Sequence, residues 1–435
     1  MVQSLARRQL LRGFGATAMA VISAACGAGL SAPAKPGEVG TAAAPTAVPT
    51  PPKPTEVAKA AAPAASGAGQ TELQFWFWAD SPDQALLHTN SLKKFQEQNP
   101  NIAVKTDLIV NAPGAWVSEF YDAKMIVPLE SRLKTWKTYA DWLPQIQQLA
   151  TGGRGQDPVG MVVNQALIPY LYYRADWLEA ANLKPPDTLD DMLAVAMALN
   201  KPPEHYGYGF RGGDNGSLGQ QVGLYLRGDG VQFVKPDGTV DLDSPDAIDR
   251  VQWYVDLVTK HKVAQPSALT DRFPELFAGL QGGKLAMVHH GLWSWKTQES
   301  VLKEKVSAAP IPSGKKSRFA SIGVEGTIVY ATSTHQDEAW KVAAFLGEPE
   351  QAKLFMYERG SGPILKSLTG DPIFRENRFY KAALDSQPGW GSFPDWHPNW
   401  PKMSDRWGPE IQRLVKGEIN AERFCTIMAD VLRKG

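Results

Sequence analysis

The sequence predicts an α/β protein of two domains carried behind an exported, tethered N-terminus. Three observations point there: a β-α-β run over residues 72–110, the same alternation through the middle of the chain, and a body at 71–435 too long for one ordinary core.

The first 25 residues hold Arg7, Arg8 and Arg12 but no acid, then an apolar stretch at 13–25 that ends against Cys26. An apolar run this short falls well below the roughly 20 residues that span a bilayer, so 1–25 reads as an export signal. The paired arginines at 7–8 resemble a twin-arginine signal, and a Sec signal with a chance arginine pair is the alternative. Ser23, Ala24 and Ala25 before Cys26 resemble a lipoprotein cleavage site, although Ser23 stands where leucine is usual. That resemblance implies a lipidated Cys26 and attachment to the outer face of the cytoplasmic membrane. Residues 27–70 contain 8 Pro, 14 Ala and no aromatic residue. Such a stretch cannot bury enough apolar area to offset its ordering entropy, so 26–70 is expected to be a disordered tether.

With Cys26 lipidated, Cys425 has no partner for a disulfide, and the body must stand on its own core. The 45 Lys and Arg balance 45 Asp and Glu. No basic excess points to nucleic acid.

In the body, the aromatic run 72–78 ended by Ala79-Asp80-Ser81-Pro82 reads as a buried strand. Helical periodicity at Leu86, Leu87, Leu92 and Phe95 follows, and then a strand over 102–110. Strand-like 160–163 and 168–173 precede a helix that starts at Asp187 or Thr188, where Thr188 and Asp191 make an N-cap box. Residues 235–239 form a turn. Asp243-Ser-Pro-Asp246 opens a helix with Ile248, Val251, Tyr254, Val255 and Val258 on one stripe. No internal repeat and no membrane span is found in the body.

Five stretches then resemble one family. Residues 172–191, from Tyr-Tyr-Arg-Ala-Asp to Pro-Pro-Asp-Thr-Leu, are the first. Residues 277–293 are the most specific: a helix ends at Gly283-Lys284, a strand carries Ala286-Met287, and Gly291-Leu-Trp293 follows. Gly323-Val-Glu-Gly326, 338–346 and Gly360-Ser-Gly-Pro-Ile-Leu-Lys366 complete the set. Together they resemble the extracellular solute-binding proteins of family 1, the sugar-binding components of ABC importers. The resemblance implies a two-lobed periplasmic-binding-protein-like fold of type II, each lobe a mostly parallel sheet flanked by helices. Three crossings are expected, near 163–166, 287–291 and 347–349. The first lobe would hold 71–164 with 289–348, the second 165–288 with 349–435. One departure stands out: the helix that the family usually inserts between 104 and 110 is missing.

A sugar offers apolar C–H faces and hydroxyl edges, so its site pairs flat aromatic rings with carboxylates, amides or arginines. Fourteen Trp residues supply such rings. Alternation along a strand puts Trp76 and Trp78 on one face, leaving Trp78 and Asp80 as the pair that reaches a cleft at the strand's end. Trp116 follows the loop 111–115, Asn164 lies beside the first crossing, and Arg211 and Asp214 sit in a Gly-rich loop. Glu325 stands between glycines, and Trp396 lies in the Trp/Pro/Gly stretch 390–400. The family resemblance places Trp293 against the ligand and adds Trp407 as a stacking aromatic. His289 and His290 do not suggest a metal site, because neighbours on a strand face opposite ways. No cofactor is expected. The partners implied are a carbohydrate and the permease of an ABC importer, with the protein a monomer that closes on its ligand. Rival readings are the same fold around a peptide, polyamine or chelated metal, and an exported carbohydrate-active enzyme.

Overall fold

The computed structural model describes residues 70–77, 82–108, 112–151, 160–213 and 218–434, and Ser66–Gly435 form one compact unit. The export signal, Cys26 and the tether lie outside the described residues. Among the described residues, no helix is long and apolar enough to cross a membrane.

The β-α-β opening is present. Strands β1 (Thr71–Phe77) and β2 (Ile102–Leu108) pair in parallel from Thr71↔Ile102 to Phe77↔Leu108, joined by the helix Pro82–Gln98. Leu87, Leu92 and Phe95 of that helix bury against Leu73 and Ile102. The same core takes in Val342, Leu346 and Phe355, from the helices Gln336–Gly347 and Pro349–Phe355. A late segment of chain thus returns to complete the first lobe. After Leu108 only residues 109–111 precede β3 (Ala112–Pro113) and the helix Gly114–Asp122. The first lobe's parallel sheet therefore has two strands, in keeping with the helix missing from the sequence.

The second lobe has its own core, from Leu171 to Leu432. Five helices build most of it: Leu189–Ala198, Leu218–Gly228, Pro245–Thr259, Trp400–Val415 and Ala421–Lys434. Caps hold two of them, the first as expected. Thr188 Oγ1 accepts from the Asp191 amide at 3.0 Å while Asp191 Oδ2 accepts from the Thr188 amide at 3.0 Å, and Ser244 caps the helix after it. Val251, Tyr254 and Val255 are buried, with Ile248 and Val258 packed beside them.

Two expectations need correction. The sheets are less parallel than expected. β9 (Gly323–Ile328) lies between β3 and β4 (Met161–Leu167), antiparallel to both, and β5 (Pro169–Arg174) lies between antiparallel β6 (Met287–Gly291) and β7 (Val306–Ala309). Among the described residues, parallel pairing is confined to β1–β2, the short β8 (Ala320–Ser321) with β10 (Trp390–Gly391), and isolated bridges such as Gly209↔Val288. An apolar run reports burial but not strand direction, which is why the sequence could not tell these apart. The lobe boundaries shift as well. β6 and β7 flank β5, and Ala309, Ile311 and Phe319 join the second core, so residues 289–319 sit in the second lobe rather than the first. Phe355 lies in the first core, so the chain stays there beyond 347–349.

Within the second lobe, Asp229 and Arg250 form a buried ion pair, with Arg250 Nε donating to Asp229 Oδ2 at 2.7 Å and Nη2 to Oδ1 at 3.1 Å. The Lys315 amide also donates to Asp229, at 2.7 Å. Asp229→Ala leaves a buried guanidinium without its carboxylate, so it should cost about 3–5 kcal/mol in urea unfolding. A loss under 1 kcal/mol would contradict this account.

Candidate functional site

Three runs of backbone meet beside the ends of β4 and β6. The Gly362 amide donates to the Ala166 carbonyl at 2.7 Å, the Ala166 amide to Ser361 Oγ at 2.8 Å, and the Leu292 amide to the Ile168 carbonyl at 2.9 Å. Only hydrogen fits at the contact points. A Cβ on Gly362 would lie 2.0 Å from Ile168 Cδ1, and one on Gly360, whose φ is +74°, would lie 2.7 Å from the Leu292 carbonyl oxygen and 2.8 Å from Trp293 Cα.

One wall stands on this floor at the end of β6. The Trp293 ring folds back over Gly291, where a Cβ would come within 1.8 Å of it, which is the physical reason for glycine two residues before the tryptophan. Trp293 is half-buried. Its ring lies 4.9 Å from that of His290, which sits among Phe273 at 4.0 Å and Phe277 at 4.5 Å, centroid to centroid. The Arg211 guanidinium covers the Phe273 ring at 3.6 Å. Trp293, Phe273 and Phe277 are all partly open to solvent, while Arg211 and His290 are buried behind them.

A polar group comes from β4 and β9. Their register slips between Val163 and Gln165, so Asn164 is the bulged residue, facing the step from Glu325 to Gly326. Gly326 must be glycine, since a Cβ would meet the Val162 carbonyl oxygen at 2.3 Å. Glu325 is 8% exposed and pairs with Arg359 at 3.2 Å. Arg359 is the neighbour in sequence of Gly360, which touches Trp293, so the two walls join through two residues. Pro113 of β3 pairs with Glu325 and brings the start of the helix Gly114–Asp122 to the same place.

The structure thus assembles Asn164, Arg211, Trp293 and Glu325. Trp116 belongs to the helix beside Glu325, but its side chain lies outside the described residues, as do Trp78, Asp80 and Asp214. Trp407 is a correction: it is 3% exposed and packs on Phe233 and Phe424 in the second core, because its turn of helix faces inward. Trp396 is another. It is half-exposed on a separate cavity with Phe233 and Lys235, whose lining shares no residue with the Trp293 group. Arg359, Phe273 and Phe277 were missed by sequence reasoning. The two phenylalanines one helical turn apart, just before the Gly-x-Trp stretch, were the available signal for that wall.

The adjacent histidines face different surroundings, His289 toward Tyr225 and His290 toward the phenylalanines. Burial, reinforced by Arg211, pushes His289 down to about 3 and His290 well below its usual value; burial and then Arg359 bring His88 to about 3. All three are neutral at pH 7, leaving Arg211 as the cation of the aromatic wall. Among the described residues, no cluster of three or more His, Cys, Asp or Glu could hold a metal ion.

The family model for bacterial extracellular solute-binding proteins matches residues 87–353. A binding protein of Brucella abortus (strain 2308) is 25% identical over 259 residues, covering 58% of this chain and 62% of its own length. The chain thus spans about three-fifths of such relatives. A lactose-binding protein of Rhizobium radiobacter is 25% identical over 241 residues, 52% of this chain and 54% of that one. Among solved structures, a solute-binding protein from Thermotoga lettingae TMO bound with α-D-tagatose superposes with a TM-score of 0.74 at 21% identity, covering 84% of this chain and 99% of that chain. Maltose-bound MalE3 of T. maritima gives 0.74 at 21%, covering 83% and 99%. The likeness to these structures is one of fold: two lobes, type II.

The neutral histidines carry a sign for pH. The folded chain refuses protons that the unfolded chain accepts below the ordinary value of 6.5, so stability is intact above that pH and falls as pH drops below it. Each such histidine should contribute a slope of about 1.4 kcal/mol per pH unit. Urea unfolding between pH 7 and 4 should show His289→Gln flattening that slope by about one proton; an unchanged slope would refute the assignment.

Proposed function

Because the chain belongs to the bacterial extracellular solute-binding proteins, we propose that it captures a carbohydrate between its two lobes and hands it unchanged to an ABC importer. The observation that carries this reading is a partly open aromatic group, Trp293 with Phe273 and Phe277, joined through Gly360 to the polar group of Arg359, Glu325 and Asn164. A sugar ring's C–H face packs on the first and its hydroxyls hydrogen-bond to the second. The Rhizobium relative, named for lactose, and the tagatose-bound and maltose-bound neighbours support a sugar over a peptide, polyamine or chelated metal.

Capture works by hinge closure. A ligand that touches both walls only when they approach has its differential affinity in the closed form, and so shifts the population toward it. Family membership makes the protein an exported one. Anchoring through a lipid on Cys26, with residues 26–70 as tether and the permease as partner, completes the proposal. Glu325 is held by Arg359 at 3.2 Å, an arrangement suited to binding hydroxyls.

A thermal-shift screen of mono- and oligosaccharides tests the reading, because a ligand at 100 times its dissociation constant stabilises by about 2.7 kcal/mol. Trp293→Ala should weaken the best sugar about tenfold or more by calorimetry. Trp407→Ala should instead lower stability by about 3–5 kcal/mol and leave affinity unchanged. Shifts only with amines or peptides, or product formed from any sugar, would defeat the proposal.

A further inference from the structure

Away from the two walls, two cavities of about 380 Å³ each meet at Arg227 and Ser392, which line both. That volume lies in the range of small-molecule sites, about 300–1,000 Å³. Phe233, Phe393 and Trp396 wall the first, with Lys235 at its edge; Gln148, Arg318 and Trp390 are among those that wall the second. Neither lining contains an Asp or Glu.

Arg227 closes the helix Leu218–Gly228, and its guanidinium lies over the Phe319 ring at 4.8 Å. Its Nε is buried with no hydrogen-bond partner, and no carboxylate pairs with it among the described residues. Other cations nearby are answered: Lys235 pairs with Asp241 at 2.9 Å, Arg318 with Asp187, and Arg250 with Asp229. A guanidinium stays charged in any protein setting, and a partly buried charge without a counterion is costly. Burial pushes Arg227 below its usual value, the mark of a cation desolvated without compensation.

We propose that Arg227 is the anchor of a second binding site, where it holds the carboxylate or phosphate of a small anionic solute seated across the two cavities. The guanidinium fork suits either group, through charge-assisted bonds that a neutral sugar cannot match. The aromatic rings on both sides would pack on the apolar faces of a ring-shaped solute, so a sugar acid or sugar phosphate is the class that fits. Arg227, and not the Trp293 wall, decides whether such a solute binds here.

Calorimetry on the Trp293→Ala protein isolates this site from the sugar site. D-glucuronate and glucose 6-phosphate are the probes, with D-glucose as the neutral counterpart. At least one anion should bind, more weakly as salt rises, while glucose does not; which anion binds separates a carboxylate from a phosphate site. Adding Arg227→Gln should weaken that anion about tenfold or more. Ser392→Asp keeps Arg227 and places a carboxylate in both cavities, so it should produce the same loss and guards against a folding defect in the first variant. Absence of binding by either anion, equal binding of glucose, or anion affinity unchanged in both variants would overturn the proposal.

Discussion

Backbone meets backbone where residues 166–168, 291–293 and 360–362 lie side by side, and nothing larger than hydrogen fits at their contact points. The rest of the arrangement depends on that closeness. Gly362 lets the late chain hydrogen-bond to Ala166 at the end of β4, Gly360 lets it lie on Trp293, and Gly291 lets the indole ring fold over its own strand. At each glycine a Cβ would come within 3 Å of a neighbouring atom. Two side chains add to these backbone pairs: Ser361 Oγ accepts from the Ala166 amide and Tyr172 Oη donates to the Gly291 carbonyl at 3.0 Å.

Charge is distributed with the same economy. Arg359 meets Glu325, Arg250 meets Asp229, and the histidines packed around Arg211 stay neutral, so the interior holds few isolated charges. Arg227, at the end of a second-lobe helix and over the Phe319 ring, has no carboxylate partner among the described residues and lines two cavities. Polar groups buried with partners rigidify the fold around them.

Local chemistry in the sequence was enough to locate the β-α-β opening, the Thr188–Asp191 cap and the apolar stripe at 248–258, because each is written in neighbouring residues. Strand direction was not legible: β4 and β5 find partners in β9 and β6, more than a hundred residues later, and an apolar run says nothing of which way its partner runs. The lobe boundary failed for the same reason, since β7 returns to β5 instead of crossing over. Trp407 misled because a tryptophan on a helix carries no mark of which face it takes until the neighbouring helix Ala421–Lys434 is in place. Arg359 was invisible because its partner lies 34 residues upstream on another element.

A floor made of peptide groups has an evolutionary consequence. Peptide groups are the same whatever residues flank them, so the joint survives replacement of nearly every side chain around it, provided three glycines persist. The residues around it are then free to drift: if they hold the ligand as proposed, exchanging Phe273, Phe277 or Asn164 would retune its preference without disturbing the joint. A scaffold of this kind can diversify its cargo far faster than its architecture.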